Sequence, residues 1–203
     1  MKKSILILVA LLFGFTVYAQ DIGYGLKAGL NLATITGDET DDLSSRFAFH
    51  AGGVVNFGIS DKFSVQPEVL YSAQGFDFEG SDFGFDGMDG TFKMDYINIP
   101  VLAQYEVADG FSLEAGPQIG FMVSAKAEVE SVEVDVDEFF KSTDFSGVVG
   151  ANYALANGLN FDARYAFGLS DIWDIPEADD VSNKNGVFMF SIGYLFQGNS
   201  SGE

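Results

Sequence analysis

The chain of 203 residues has no cysteine, one histidine, one tryptophan and only 10 basic residues against 30 acidic ones. Each shortage removes a class of function. Without cysteine there is no disulfide, no thiolate nucleophile or metal ligand, and no cysteine to carry a lipid anchor. A net charge of −20 speaks against nucleic acid, because phosphate binding needs an excess of Lys and Arg. Long apolar runs are also missing. The one candidate, Ile5 to Phe15, is interrupted by Gly14 and falls short of the roughly 20 residues a spanning helix needs. It follows Lys2 and Lys3 and precedes the small-residue positions Val17 and Ala19, the pattern of a cleavable secretory signal. The sequence therefore divides into a signal peptide at 1–19, a main domain at 20–196 and a short polar tail at 197–203. Membrane insertion by the main domain has to use strands.

What the chain has in abundance is glycine (24), phenylalanine (21) and alternation. Eight segments alternate apolar and polar residues, at about 23–33, 47–59, 63–74, 96–107, 111–124, 145–155, 159–170 and 187–196. One register is bulky and uncharged: Phe47, Phe49, Ala51, Gly53, Val55, Phe57 and Ile59 in the second segment, and Leu159, Phe161, Ala163, Tyr165, Phe167 and Leu169 in the seventh. The other register is small and polar, as in Ser112, Glu114, Gly116, Gln118 and Gly120. A soluble barrel would have to place the bulky set inside, and eight strands enclose too little space for it. With lipid outside, the pattern fits, and a charge on that face would cost about 2–4 kcal/mol at mid-membrane.

The connections alternate as well. Ser60–Lys62, Ala108–Gly110 and Ala156–Gly158 are tight turns, two of them with Asp-Gly or Asn-Gly chemistry. Between them lie long loops at about 34–46, 76–91, 125–142 and 171–184. The reading is all-β: an eight-stranded antiparallel up-and-down transmembrane β-barrel in the outer membrane of a Gram-negative bacterium. Its turns and both termini are periplasmic and its loops face outward. Outward aromatics fall near both rims: Tyr24, Phe57, Phe63, Tyr105, Phe111, Tyr153 and Tyr194 at one, Phe47, Phe49, Tyr71, Phe121, Phe167 and Phe188 at the other. Phe196 is the terminal aromatic. Pro67, Pro100 and Pro117 fall inside strands, and bulges are expected there, since proline removes a ladder donor.

Four segments carry a resemblance. Gly25-Leu26-Lys27-Ala28-Gly29-Leu30-Asn31, Tyr96-Ile97-Asn98-Ile99-Pro100-Val101-Leu102, Gly116-Pro117-Gln118-Ile119-Gly120 and Ala163-Arg164-Tyr165-Ala166-Phe167-Gly168-Leu169 occur in that order. Together they resemble the PorT-like outer-membrane β-barrel family of Bacteroidota, over the whole mature chain. The resemblance implies the barrel fold. Its name-giving member is linked to protein secretion, but no residue motif carries that role to this chain.

Candidate chemistry lies in two places. The inward register holds Lys27, Glu68, Glu106, Glu114, Asp162 and Arg164, read as a buried ionic network that plugs the barrel. The rival reading is an ion path or narrow pore, with Gly29, Gly52, Gly120, Gly150 and Gly168 leaving room for water. His50 is also on this register. A hydrolase would need a serine beside it, with Ser72, Ser124 and Ser170 the candidates, but no nucleophile motif is present. The loops hold 20 of the 30 carboxylates, with Arg46, Lys126, Lys141 and Lys184 their only basic residues. Solubility accounts for this charge. Asp38, Glu39, Asp41, Asp42, Asp174, Glu177, Asp179 and Asp180 are the candidate cation ligands, without EF-hand spacing.

Glu128 to Val136 alternates and is expected to extend the fifth strand as a hairpin arm with a docking edge. Trp173 is read as an interfacial anchor or a ligand contact. No cofactor and no catalytic residue is expected. The expected partners are outer-membrane lipid, lipopolysaccharide and a protein at the loops, with the barrel a monomer. A structural or interaction protein is the preferred reading. A porin, a secretion accessory and a lipid- or peptide-modifying enzyme are the alternatives.

Overall fold

A computed structural model describes residues 21–37, 40, 43–78, 89–129, 132–174 and 182–197. The expected signal peptide and most of the tail lie outside them. Among the described residues there are nine strands: β1 (Asp21–Gly37), β2 (Leu43–Ser60), β3 (Phe63–Phe78), β4 (Gly90–Ala108), β5 (Phe111–Val129), β6 (Val132–Asp135), β7 (Thr143–Ala154), β8 (Leu159–Gly168) and β9 (Asn183–Gln197). All pairings are antiparallel. Eight strands form the closed ring β1-β2-β3-β4-β5-β7-β8-β9, with β9 returning to β1 through Tyr24↔Phe196 to Gly37↔Asn183. The short β6 stands outside the ring and pairs with β5 through Lys126↔Asp135 to Val129↔Val132. The three tight turns and the described chain ends share one end of the barrel. There Gly110 and Gly158 have φ of 72° and 90°, which a side chain would strain.

The prolines do not make bulges. Register is continuous across Pro67↔Val101 and Pro100↔Gln118. The register shifts fall elsewhere, at Ser45/His50, Gly58/Ser60, Asp95/Tyr96 and Glu106/Ala108. Pro67, Val101 and Pro117 sit at one level on three neighbouring strands. There the pairing lapses, over Glu68–Val69 in β3 and over Val101–Leu102 in β4. The missing donors are thus gathered into one patch, and no strand needs an extra residue at the prolines.

Strands also run well into the expected loops. β3 reaches Phe78, β4 starts at Gly90 and β5 reaches Val129. The reason is a reversal of polarity along each strand. Within the lipid-facing stretch of β4, Ile97, Ile99, Val101, Ala103, Tyr105 and Val107 point outward, a span matching the roughly 9–11 residues a membrane strand needs. Beyond it Thr91, Lys93 and Asp95 point outward, while Phe92, Met94 and Tyr96 point inward. β3 repeats this, with Phe76 and Phe78 buried and Asp77 outside. The apolar face switches from lipid to a protein core where the strands leave the membrane. The described rim aromatics stand on the outer surface, Phe47 the most exposed at 78%.

Candidate functional site: the lumen and the loop-end arm

Two-residue alternation places Lys27, Glu68, Glu114, Asp162 and Arg164 on the inner face, and the ring closure brings them together. Arg164 is the hub. Its Nη1 and Nη2 each lie 2.9 Å from a Glu68 oxygen, in a two-pronged pair. Its Nε bonds Glu114 Oε1, and Nη2 reaches Glu114 Oε2 at 3.1 Å. Lys27 Nζ lies 2.7 Å from Asp162 Oδ2 and 3.4 Å from Glu68 Oε1. Gln66 donates to Glu68 at 2.7 Å and Gln104 to Glu114 at 2.9 Å. Two cations hold three carboxylates, each with neutral donors besides, as buried charge requires. Glu106 is not in this cluster. It is half-exposed near the turn end, paired in the ladder with Ser112.

The inner glycines make room for bulk. A Cβ on Gly150 would lie 2.8 Å from Arg164 Cγ, and one on Gly29 would lie 2.7 Å from His50 Cε1. The neighbouring backbone would come closer still to such a Cβ, Phe190 O at Gly29 and Ala163 O at Gly150, so strand and side chain together crowd these positions.

His50 is fully buried, with Nδ1 2.7 Å from Asn31 Oδ1 and Nε2 2.8 Å from Ser191 Oγ. Ser191 donates onward to Asp162 at 2.9 Å. Ser72 instead accepts from Asn31, and Ser170 donates to Asp144 at 3.3 Å. The partner serine is therefore Ser191, whose only sequence signal is its inward register on β9.

The lumen is less polar than the sequence reading held. Leu70, Leu102, Val148, Val187 and Met189 are buried inside it. At the loop end a second apolar cluster joins Ile35, Phe76, Phe78, Met94, Tyr96, Phe140 and Ile172. Phe140 and Trp173 form an antiparallel bridge, their rings stacked with centroids 4.7 Å apart. Lys141 N–H donates to Ile172 O at 2.8 Å and Asp174 N–H to Phe139 O at 2.9 Å. This strap caps the mouth. Trp173 is thus part of the cap and not an interfacial anchor. Truncating Phe140 to Ala is expected to cost the cap about 3–5 kcal/mol while the ring persists. Emission from Trp173, the only tryptophan, should shift to the red, with heat-modifiable gel mobility unchanged.

The β5–β6 hairpin forms the expected arm. On its outer face Lys93, from the neighbouring β4, pairs with Glu128 and lies 2.7 Å from Glu133, and Lys126 of β5 lies 3.3 Å from Glu133. Hydrogen bonds from Lys93 and Lys126 hold the Glu133 carboxyl below its ordinary pKa. Bonds to Glu128 and Glu133 raise that of Lys93. A depressed carboxyl stabilises the arm above its unfolded pKa, and that contribution goes as pH falls through the folded pKa. The raised lysine contributes below its own unfolded pKa, and this is lost as pH rises through its folded one. Amide exchange in β6 should therefore accelerate below the ordinary carboxylate range, once corrected for intrinsic rates, and β1 amides should not follow.

Of the candidate cation ligands, Asp174 is described and exposed. Asp38, Glu39, Asp41, Asp42, Glu177, Asp179 and Asp180 lie outside the described residues. Among the described residues no group of three or more His, Asp or Glu side chains is placed to hold a metal ion.

The model of the family described as outer membrane protein beta-barrel domain matches residues 18–174. The chain belongs to this family. Among solved structures, this outer-membrane barrel is similar to Neisserial surface protein A (15% identity, TM-score 0.56), over 85% of this chain and 97% of that one. It is also similar to Ail, the attachment invasion locus protein of Yersinia pestis (17% identity, TM-score 0.51), over 86% and 98%. Ail in complex with the heparin analogue sucrose octasulfate matches at 16% identity and TM-score 0.50, over 87% and 99%. At these identities the likeness shows the fold alone. Comparison with curated proteins yields no match.

Proposed function

We propose that this barrel is a monomeric, non-enzymatic protein of the outer membrane, with a closed lumen and an extracellular surface that does its work. The lumen carries the proposal. Arg164 and its carboxylates fill one level, the Leu70–Met189 cluster another, and the Phe140–Trp173 strap covers the mouth. The three short turns and the ends of the described chain, Asp21 and Gln197, share the opposite end, which supports a periplasmic location for both termini. The acidic loops support outer leaflet contacts through cations bridging to lipopolysaccharide phosphates. They also support a basic protein partner. A polyanion such as the one bound to Ail suits this surface poorly. The four motifs support a place in the PorT-like branch, without its secretion role.

Single-channel recording of the refolded protein in a planar bilayer tests the proposal. A folded barrel, shown by heat-modifiable gel mobility, should give no unitary conductance. A stable conductance would replace the closed lumen with a narrow pore.

A further inference from the structure

The sheet β3-β4-β5-β6 stands beyond the lipid-facing band and ends at β6, whose four residues are all exposed. Val136 N–H donates to Ala125 O at 3.0 Å, on the β5 side. Antiparallel ladders alternate, so Val132 and Val134 also turn their backbone groups toward β5. Glu133 and Asp135 turn theirs to the other edge. Among the described residues no strand covers that edge. Side chains along it alternate too. Val132 and Val134, 63% and 56% exposed, lie on one face, and Glu133 and Asp135 on the other.

We infer that β6 receives an extended segment of a partner protein by strand addition, and that this segment alternates basic and β-branched residues. The inference rests on the extracellular placement proposed above. Backbone pairing would come from Glu133 and Asp135, and alternate side chains would set the choice of partner. Basic residues fit opposite Asp135, whose ladder partner Lys126 gives its ammonium to Glu133 at 3.3 Å and leaves Asp135 without an ion pair among the described residues, and beside exposed Glu138. Apolar residues would cover Val132 and Val134. A second copy of this chain is a poor occupant, since it sets Glu133 and Asp135 against their own kind, and like charges across a ladder repel. The chain's own segment at 175–181, with Glu177, Asp179 and Asp180, meets the same objection.

The test uses the folded barrel in nanodiscs and a synthetic peptide of alternating lysine and valine. Its control is the same peptide N-methylated along one edge, which keeps the charge and cannot pair. The unmodified peptide should bind and slow amide exchange at Glu133 and Asp135. N-methylation should weaken binding by about tenfold or more. Asp135→Pro, which removes an outward N–H and leaves the β5 ladder intact, should do the same. Asp135→Asn should weaken binding less and flatten its salt dependence. Equal binding of both peptides would sink strand addition while leaving a charge-driven interaction surface. Binding of neither would overturn strand addition and the basic-partner reading together. Dimers of the peptide-free barrel, lost in Asp135→Pro, would give the edge to a second copy.

Discussion

Replacing Arg164 by Ala should destabilise the barrel by about 3–5 kcal/mol, because it leaves buried carboxylates without their shared cation. Glu68 and Glu114 both depend on this guanidinium, and Lys27 Nζ, already 2.7 Å from Asp162, reaches only Glu68 of the two. Arg164→Lys should recover only part of the loss, since an ammonium cannot make the paired contacts to Glu68 and the bonds to Glu114 together. The decisive comparison adds Glu68→Gln and Glu114→Gln to Arg164→Ala. Neutralising the orphaned carboxylates should restore much of the stability, which loss of packing volume alone would not allow. Urea titration of the barrel in lipid vesicles, followed by far-UV circular dichroism and gel mobility, reads all four proteins. A change below about 1 kcal/mol for Arg164→Ala would mean that water already solvates the cluster, as at exposed ion pairs. The closed lumen would fall with it.

Leu70→Ala and Leu102→Ala should each cost about 2–5 kcal/mol, the range for emptying a packed apolar site. Both side chains are fully buried and belong to one cluster inside the barrel. Their effects should therefore not add simply when combined. The same urea titration measures them. A small effect would indicate a hydrated gap there. These variants also bear on conduction, because an emptied site leaves the Arg164 cluster and the cap as the remaining barriers.

Most of the barrel was legible because a membrane strand has a demanding grammar. Lipid forbids charge on one face, and period two assigns every other residue to that face. Phe111, Leu113, Ala115, Ile119 and Phe121 declare themselves by this rule alone. The ring then follows from the turns, since Asp109-Gly110 and Asn157-Gly158 permit only neighbouring antiparallel strands. Inward charges were legible by the same alternation. Glu106 obeyed the alternation but not the grouping, because register says nothing about height along the barrel.

The readings that failed share a cause. Phe76 and Phe78 fall in the expected loop at about 76–91, and Phe92 ahead of the expected fourth strand, since their apolar register is opposite to that of the membrane stretch. Once a strand passes the membrane boundary its outer face meets water, and the same alternation means the reverse. Leu70 and Met189 were overlooked as lumen residues because an inward leucine violates the polar-inside expectation. It is tolerated where seven such residues meet and pack. Prolines were expected to distort the ladder, whereas Pro67 and Pro117 flank Val101 at one level and share a single lapse.

The sequence by itself determined the eight strands of the ring, the lipid-facing register, which end of the barrel carries the tight turns, and which charges point inward. Those are set by local rules, alternation and turn chemistry, that act within a few residues. Only the tertiary structure decided that Arg164 is the hub, that Ser191 is the serine of His50, that Trp173 stacks on Phe140 in a cap, and that no strand among the described residues covers the outer edge of β6. Each of these joins residues far apart in the chain, and ring closure, strand stagger and the crossing of two loops fix their distances.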